Sequence, residues 1–305
     1  MFAPKLPYCR QCQSSRVTLL GRIPQSSRFA GQTLNPAWDG GSLYLCQQCH
    51  LGFRHPVRSD QEYEALYDSA PDSVWVSTEL RPDQQRVRSA IRSRHAQGKV
   101  LDVGCYDGSF LRALVPQFQC FGIEASAAAR RAAEANGVSV LAPHIRDLAD
   151  VEQLFDVVSA IDVIEHVVQP FLFLQTLVAR TKPGGDVMIS TGTLDALAWQ
   201  QAGGAYWYSA IPEHISFIKQ AWLTAAAKQL NLELVHTETF FYWDDNPGDR
   251  QRMQSEFHPV VRRSRRKQAL LRMLPGRLGK LAPRTIFGRP GIFADHIVAV
   301  FKTPT

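Results

Sequence analysis

Short apolar runs alternate with amphipathic segments along most of the chain. Phe155–Ile161 is almost wholly apolar, which suits a strand buried on both faces. Further strands are predicted before Glu124 and at Val100–Val103, Val138–Leu141, Val187–Thr191, Leu232–Tyr242 and His296–Lys302. Segments with helical periodicity lie between them, at Ser59–Ala70, Arg81–Gln97, Ala127–Asn136, Pro170–Arg180 and Gln220–Leu230. This alternation predicts an α/β fold with a mostly parallel sheet, whose ligands bind at the carboxyl ends of the strands.

A glycine-rich turn follows the first strand of this pattern. The sequence from Val100 to Leu111 reads Val-Leu-Asp-Val-Gly-Cys-Tyr-Asp-Gly-Ser-Phe-Leu, and Glu124 ends the next strand about 20 residues later. Gly104 and Gly108 allow a tight bend and a close approach to a ligand. The acid is placed to accept hydrogen bonds from two ribose hydroxyls. The third glycine of a dinucleotide-binding G-x-G-x-x-G sequence is missing, so a different nucleoside-containing cofactor is favoured.

The turn resembles motif I of the class I S-adenosylmethionine methyltransferases, with Tyr106 in place of the usual middle glycine. The strand that begins at Phe155, the pair Glu165-His166 and the turn that begins at Lys182 resemble the same superfamily, over about residues 80–243 and the final strand. The resemblance implies a Rossmann-like seven-stranded sheet and S-adenosylmethionine as cofactor. It also implies a set of cofactor-binding residues, namely Asp102, Gly104, Cys105, Gly108, Glu124, Asp147 and Asp162.

Two of these residues have a second interpretation. Asp147 lies where related enzymes hold the adenine amino group, but it also fits a solvated loop acid. Cys105 lies within the glycine-rich turn, yet it also fits, with Cys120, an apolar filler beside the cofactor fold.

Four cysteines form two C-x2-C knuckles at the beginning of the chain. Cys9 and Cys12 form the first and Cys46 and Cys49 the second, a spacing that is typical of a structural Zn²⁺ site. Strands are predicted at Val17–Gly21 and Ser42–Leu45. Together with the two knuckles they predict a zinc ribbon over residues 1–60. A ribbon of this size buries little core, so the metal is expected to supply its folding energy. A structural or substrate-shaping role is favoured over nucleic-acid recognition.

The positive charge is concentrated in one segment. The 305-residue chain has a net charge of +6, and residues 257–294 hold ten Lys or Arg and no acid, which leaves −4 elsewhere. We predict a basic helical insertion over residues 244–293, between the last two strands of a methyltransferase domain formed by residues 61–243 and 294–305. Its cations, from Arg262 to Arg289, suit contact with an anionic membrane, a lipid-linked or phosphorylated glycan, or RNA. The alternative is a solvated insertion that covers the substrate site.

The chain contains no apolar run of about 18 residues and no N-terminal apolar region of the secretory type. A cytoplasmic protein without a transmembrane segment is therefore expected, and peripheral contact with the inner face of the membrane is an open alternative. Ordinary composition and the lack of a disulfide framework agree with this expectation.

The sequence from Ala205 to Phe217 holds the first candidates for acid–base chemistry. Its Pro-Glu-His-Ile core resembles a stretch that many methyltransferases carry before the helix that precedes strand six. His214 is the candidate general base, since an imidazole titrates near neutral pH, and Glu213 is expected to orient it. Tyr208 and its aromatic neighbours Tyr206 and Trp207 suit a wall for a sugar or aromatic acceptor. The alternative is that His214 caps the next helix and the aromatic rings belong to the core.

Asp162, Glu165 and His166 form a second group of candidates, directly after the strand at Phe155–Ile161. Ubiquinone-pathway and small-RNA methyltransferases carry a similar E-x-x-E-H sequence that binds a divalent ion, with a further His downstream. The resemblance implies a Mg²⁺ site with His214 as the downstream ligand, although the first position here is Asp162. Metal-free relatives also keep the Glu-His pair, so Glu165 and His166 are alternatively residues that shape the site.

The acceptor is inferred from the ribbon. The order of a C-x2-C knuckle, Leu20-Gly-Arg-Ile-Pro and a second knuckle resembles deoxysugar C-methyltransferases and shorter relatives associated with bacterial surface glycans. Those sugar enzymes carry a long C-terminal domain that this chain lacks after its final strand, which favours O-methylation of a sugar or surface-glycan precursor. The alternatives are an RNA or other nucleic-acid methyltransferase and a non-catalytic scaffold that binds S-adenosylmethionine.

Overall fold

A computed structural model of the chain describes residues 7–68, 71, 80–242 and 294–305. The predicted basic insertion, and with it Arg262 to Arg289, lies outside the described residues. Five strands form the N-terminal part, namely β1 (Val17–Arg22), β2 (Ser26–Phe29), β3 (Gln32–Trp38), β4 (Ser42–Cys46) and β5 (Gly52–His55). β4 pairs antiparallel with both β1 and β5, and β2 and β3 form a separate hairpin.

The remaining strands belong mainly to a larger sheet. They are β6 (Gly98–Val103), β7 (Phe118–Ile123), β8 (Ser139–Ala142), β9 (Phe155–Ile161), β10 (Thr181–Gly192), β11 (Ser216–Phe217), β12 (Glu233–Phe240) and β13 (His296–Lys302). Among the described residues, seven of them form one sheet in the order β12-β13-β10-β9-β6-β7-β8. β6 to β10 pair in parallel, and β13 is antiparallel to both of its neighbours. This is the predicted Rossmann-like sheet.

Helices connect the strands and cover the sheet. They are α1 (Asp60–Asp68), α2 (Pro82–Arg94), α3 (Ser109–Arg112), α4 (Ala127–Ala135), α5 (Pro170–Ala179), α6 (Leu197–Ala202), α7 (Trp207–Ala210) and α8 (Gln220–Gln229). Local sequence explains their beginnings: the Ser126 side chain accepts a hydrogen bond from the Ala129 amide and caps α4, and Pro170 opens α5. Single 3-10 turns lie at Ile145–Asp150, Ile164–His166 and Gly203–Ala205.

The core lies on both faces of the central strands. Six of the seven residues of β9 are buried, as are the side chains of β10 from Gly185 onward and nearly all of β13. Burial on both faces explains why β9 and β13 are almost continuously apolar in the sequence. The predicted turn at Lys182 is instead part of β10, where the pairing with β9 shifts register between Thr181 and Asp186.

One edge of the sheet gathers the candidate residues. The parallel strands β6, β7, β9 and β10 all have their carboxyl ends there, and His296, the first residue of the antiparallel β13, pairs with Gly192 at the same edge. β11 does not join the large sheet. It pairs antiparallel with β5, so a segment from the middle of the chain extends the N-terminal sheet.

Candidate functional site

The glycine-rich turn after β6 forms a close backbone approach. Gly104 and Gly108 have φ values of 80° and 72°, in the left-handed region that favours glycine. A Cβ atom on Gly104 would lie 2.7 Å from Val163 Cγ2, and one on Gly108 would lie 2.9 Å from Val138 Cγ2. Larger residues at these positions would therefore push the turn away from its neighbours. Cys105, between them, is buried in the core beside the turn, which agrees with the apolar-filler interpretation.

Glu124 connects the turn to the strand beside it. Its Oε2 accepts a hydrogen bond from the Tyr106 amide at 3.0 Å, and its Oε1 accepts one from the Ser126 amide at 2.8 Å. Burial raises the pKa of Glu124, and the backbone amides of Ser126 and Tyr106 act in the opposite direction. A carboxylate has about four acceptor positions, so Glu124 keeps capacity for two further donors.

Two other predicted cofactor residues have structural partners. Asp102 is buried in β6, and its Oδ1 accepts a hydrogen bond from Ser159 Oγ at 2.6 Å. Burial raises the pKa of Asp102 to about 7. Asp147 caps a 3-10 turn, because its Oδ2 accepts a hydrogen bond from the His144 amide at 3.1 Å. The contact of either residue with the cofactor stays a prediction.

Asp162 lies at the end of β9 and pairs with a cation that the sequence had not singled out. Arg81 Nη2, at the beginning of α2, is 3.1 Å from Asp162 Oδ2 and 3.2 Å from Asp83 Oδ2. Burial and the neighbouring Asp83 raise the pKa of Asp162 well above its ordinary value, although Arg81 opposes this. Asp162 Oδ1 is buried and has no hydrogen-bond partner among the described residues. Because Gly104 abuts Val163, this charged group lies beside the glycine-rich turn.

Glu165, His166 and His214 come together at the same edge of the sheet. One ligand atom from each lies within 4.8 Å of the others, and Glu165 is fully buried. Both oxygens of Glu165 accept hydrogen bonds, Oε1 from the Tyr208 hydroxyl at 2.5 Å and Oε2 from Thr191 Oγ1 at 2.9 Å. Of the predicted four-residue set, Asp162 is not in this cluster, because it is paired with Arg81.

The two imidazoles are oriented by acceptors on their Nδ1 atoms. His214 Nδ1 lies 2.9 Å from the Tyr208 carbonyl oxygen, and His166 Nδ1 lies 3.2 Å from the Glu213 carbonyl and 2.9 Å from the Tyr67 hydroxyl. A carbonyl can only accept, so each Nδ1 carries the proton and each Nε2 keeps its lone pair. Burial, and then the adjacent His166, lower the pKa of His214 well below its ordinary value. His214 is therefore a neutral imidazole whose lone pair is on Nε2.

Glu213 and Tyr208 differ from their predicted roles. The Glu213 carboxylate accepts a hydrogen bond from the Ala30 amide, so its side chain points toward the β2–β3 hairpin, and the Tyr208 carbonyl orients His214 instead. Tyr208 is 3% exposed and holds Glu165, so it belongs to the core rather than to an acceptor wall. His214 does not cap a helix, since β11 and not α8 follows it.

A second acid–histidine pair lies on the other side of Tyr208. The buried Asp295 accepts hydrogen bonds from the Tyr206 hydroxyl at 2.7 Å and from Trp207 Nε1 at 3.0 Å, and its Oδ1 lies 2.9 Å from His296 Nδ1. The predicted aromatic stretch is therefore anchored to the beginning of β13. Sequence reasoning missed Asp295, because no local motif marks an acid at the beginning of a final strand.

The donor set at Glu165 suits some metals better than others. Two imidazole nitrogens and one carboxylate are typical of Zn²⁺, Mn²⁺ or Fe²⁺ sites, whereas Mg²⁺ prefers oxygen ligands and water. The hydrogen bonds on both Nδ1 atoms and on both Glu165 oxygens are also typical of ligands held by a surrounding shell. The residues fit a transition-metal ion that would polarise an acceptor oxygen, and they fit Mg²⁺ poorly.

The four predicted zinc ligands form a compact cluster. Their Sγ atoms all lie within 4.8 Å of one another, with 3.6 Å between Cys9 and Cys49 and 3.5 Å between Cys12 and Cys46. Zinc–sulfur bonds of about 2.3 Å give a tetrahedral edge of roughly this length, so the donor set fits Zn²⁺. The Cys46 Sγ also accepts hydrogen bonds from the Gln48 and Cys49 amides, as in a metal-binding knuckle. The cluster supports the predicted zinc ribbon.

Comparison with known proteins decides the family. A family described as "Methyltransferase domain" matches residues 78–237, which is more than half of the chain. The chain is a class I S-adenosylmethionine-dependent methyltransferase. Its sheet, its glycine-rich turn and the acid at Glu124 lie as the sequence resemblance implied.

Two relatives of this methyltransferase carry the same name. The ubiquinone biosynthesis O-methyltransferase of Pectobacterium atrosepticum is 32% identical over 178 residues, covering 53% of this chain and 74% of the relative. The enzyme of the same name from Escherichia coli O157:H7 is 27% identical over 214 residues, covering 62% and 88%. Among solved structures, the N-methyltransferase NodS from Bradyrhizobium japonicum WM9, in complex with S-adenosyl-L-homocysteine, has a TM-score of 0.47 at 16% identity, covering 81% of this chain and 100% of that one.

In the part of the chain that the structure describes, no helix is both long and apolar enough to cross a bilayer.

Proposed function

We propose that this methyltransferase transfers the methyl group of S-adenosylmethionine to an oxygen of a small hydroxylated acceptor, with His214 as general base. The observation that carries the proposal is the position and orientation of the His214 imidazole. Its Nδ1 donates to the Tyr208 carbonyl, which leaves the lone pair on Nε2. A ring nitrogen of His214 lies within 4.8 Å of a Glu165 carboxylate oxygen, at the edge of the sheet where strands β6, β7 and β9 end. The O-methyltransferase relatives support oxygen as the accepting atom.

The cofactor-binding residues supply complementary groups along one edge. Glu124 has acceptor capacity left for the ribose hydroxyls, next to the amides of the glycine-rich turn. Asp162 and Arg81 offer an acid and a cation beside that turn, which suits the ammonium and carboxylate of the amino-acid end of the cofactor. Asp147 remains the candidate for the adenine amino group.

The residues of the chain would act in a fixed order on the acceptor. His214 Nε2 accepts the hydroxyl proton as the acceptor oxygen bonds to the sulfonium methyl carbon, and the carbon–sulfur bond breaks to leave a neutral thioether. Thr191 and Tyr208 keep Glu165 fixed, so that its negative charge stabilises the imidazolium that forms. His214 then returns the proton to solvent.

A transition-metal ion at Glu165, His166 and His214 is a second arrangement that the donor set favours. It would lower the pKa of an acceptor hydroxyl and leave His214 as a ligand rather than a base. Metal stoichiometry separates the two arrangements. One zinc per chain supports His214 as the base, whereas a second ion that disappears in His166→Ala supports the metal arrangement.

The acceptor that we favour is a sugar or surface-glycan precursor, from the resemblance of the ribbon sequence to sugar-modifying methyltransferases. The test incubates the protein with methyl-labelled S-adenosylmethionine and a panel of nucleotide sugars, lipid-linked glycans, phenols and RNA. We expect label on a sugar oxygen. Label on RNA alone would contradict the proposal, and cofactor binding without any transfer would favour a non-catalytic scaffold.

A further inference from the structure

The N-terminal sheet is joined to the segment that carries His214. We call residues 203–217 the acceptor segment. Its last strand, β11, pairs with β5, with Ser216 opposite Phe53 and Phe217 opposite Gly52. A Cβ on Gly52 would lie 2.2 Å from Leu194 Cδ1 and 2.9 Å from the Phe217 carbonyl oxygen, so this strand contact is tight. The ribbon and the acceptor segment thus share one sheet.

A buried arginine of β5 holds the acceptor segment by its backbone. Arg54 is 6% exposed and donates from Nε to the His214 carbonyl at 3.0 Å. Its Nη2 donates to the Ser209 carbonyl at 2.8 Å and to the Ile211 carbonyl at 2.7 Å, and its Nη1 donates to the Gly40 carbonyl at 3.0 Å. Burial lowers the pKa of Arg54 to about 10, so it keeps its charge at neutral pH. A rigid fork with several donors is the group that can satisfy this arrangement.

The first cysteine knuckle adds three further hydrogen bonds. Arg10, between Cys9 and Cys12, donates to the Ile215 carbonyl and lies 2.6 Å from Ser216 Oγ. Its neighbour Gln11 accepts a hydrogen bond from Trp222 Nε1 of α8 at 2.9 Å. The backbone on both sides of His214 is therefore held by two arginines of the ribbon, Arg54 of β5 and Arg10 of the first cysteine knuckle.

These contacts bear on the imidazole of His214. Arg54 binds the carbonyl of His214 directly, and it binds the carbonyl of Ser209, the residue after the Tyr208 that orients Nδ1. One guanidinium thus binds three carbonyls of the loop formed by residues 208–214. A displacement of about 1 Å at this loop would misplace Nε2, and misplacement of that size is costly in a reaction that needs an aligned base.

We propose that the zinc ribbon contributes to the acceptor side of the active site, where its Arg54 is a positioning residue that acts through His214. The ribbon is then needed for methyl transfer and not for cofactor binding, because the glycine-rich turn and Glu124 receive none of these contacts. This inference rests on the proposed role of His214 as the base.

The first test measures hydrogen exchange by mass spectrometry in Arg54→Met, with Arg22→Met as control. Arg22 lies in the same sheet, but its side chain is 69% exposed, and its salt-bridge partner among the described residues is the exposed Asp39. In Arg54→Met we expect peptides covering residues 206–217 to exchange about tenfold faster or more, while β4, the glycine-rich turn, zinc content and S-adenosylhomocysteine affinity stay at wild-type values. Arg22→Met should change none of these.

The result that would overturn the proposal is unchanged exchange in residues 206–217 with zinc retained. Faster exchange spread equally over β4, with loss of zinc, would also overturn it, because Arg54 would then be only a core residue of the ribbon. If Arg54→Met does not fold, Arg54→Lys gives the same comparison, since one ammonium cannot reach all four carbonyls.

The second test is a double-mutant cycle on single-turnover methyl transfer to the acceptor found in the panel. Arg54→Met should slow transfer about 10- to 100-fold in the wild-type background and by less than about threefold in the His214→Ala background. An equal loss in both backgrounds would show that Arg54 does not act through His214. If His214→Ala alone leaves the rate unchanged, the base assignment fails, and the exchange experiment still decides whether the ribbon holds the segment.

Discussion

At the scale of single residues, the site depends on carboxylates whose oxygens are already bound. Glu165 accepts from Tyr208 and Thr191, and Glu124 accepts from two backbone amides. Such bonds fix the direction of the remaining lone pairs before a ligand arrives. Both acids therefore have a defined orientation at the edge where the cofactor and the acceptor must meet.

Replacement of Glu124 by Ala should weaken cofactor binding. The change removes the acceptor for the two ribose hydroxyls and should cost on the order of 2–3 kcal/mol of binding free energy. Isothermal calorimetry with S-adenosylhomocysteine measures the effect, with Glu134→Ala on the exposed side of α4 as a control that keeps wild-type affinity. Equal affinities for Glu124→Ala and wild type would remove Glu124 from the cofactor site.

Asp102 should make stability depend on pH in the absence of cofactor. Burial raises its pKa in the folded chain from an ordinary 3.8 to about 7, so the folded state binds a proton that the unfolded state has already lost. The stability contribution is complete below about pH 4 and is lost as the pH rises to about 7. Asp102→Asn should therefore gain up to about 4 kcal/mol over wild type at pH 8 and much less at pH 5.

Urea unfolding of both proteins at pH 5 and pH 8 measures this difference. Asn keeps an oxygen that can accept the hydrogen bond from Ser159, so the core contact is preserved. A stability difference that is the same at both pH values would mean that Asp102 is ionised in the folded protein.

At the scale of elements, the ribbon sheet should depend on its metal. Cys46 contributes to the sulfur cluster and also ends β4, which pairs with both β1 and β5. Cys46→Ser should remove zinc, which elemental analysis of protein purified without chelator would detect as a fall from one ion per chain. Cys120→Ser is the matched control, because Cys120 is buried beside the cofactor fold and outside the cluster. Zinc retained in Cys46→Ser would reject this ligand set.

Elements with a strong local pattern could be predicted from the sequence. The predicted strand Phe155–Ile161 has the same bounds as β9. The helix predicted from the Ser126 cap begins where α4 begins, and α4 ends one residue earlier than predicted. The two cysteine knuckles likewise specify a cluster, because spacing alone determines their chemistry. These features depend on neighbours in sequence, and for that reason they were visible without a structure.

Contacts between distant parts of the chain could not be predicted. Arg54 and His214 are 160 residues apart, and Arg81 and Asp162 are 81 apart, with no motif that connects either pair. The same limit explains Glu213, whose position beside His214 suggested an orienting role. Its side chain instead binds Ala30, because the approach of the ribbon decides which carbonyls and amides face that loop.

At the scale of the whole molecule, the sheet brings the residues that we propose for cofactor binding and for acceptor activation to one edge. Strands β6 and β7 deliver the glycine-rich turn and Glu124, and β9 delivers Asp162 and the Glu165-His166 pair. The ribbon lies on the other side of the site and binds the acceptor segment, which carries His214. Cofactor binding and acceptor activation are thus assigned to different parts of the chain, and they should be separable by mutation.

The most direct test of this account is the single-turnover rate of methyl transfer in His214→Ala, measured with cofactor affinity in the same preparation. We expect the rate to fall roughly 10²–10⁴-fold, because the base is lost, while S-adenosylmethionine affinity stays within about threefold of wild type. His236→Ala, a half-exposed histidine of β12, should leave both quantities unchanged. A wild-type rate in His214→Ala, with cofactor still bound, would contradict the account.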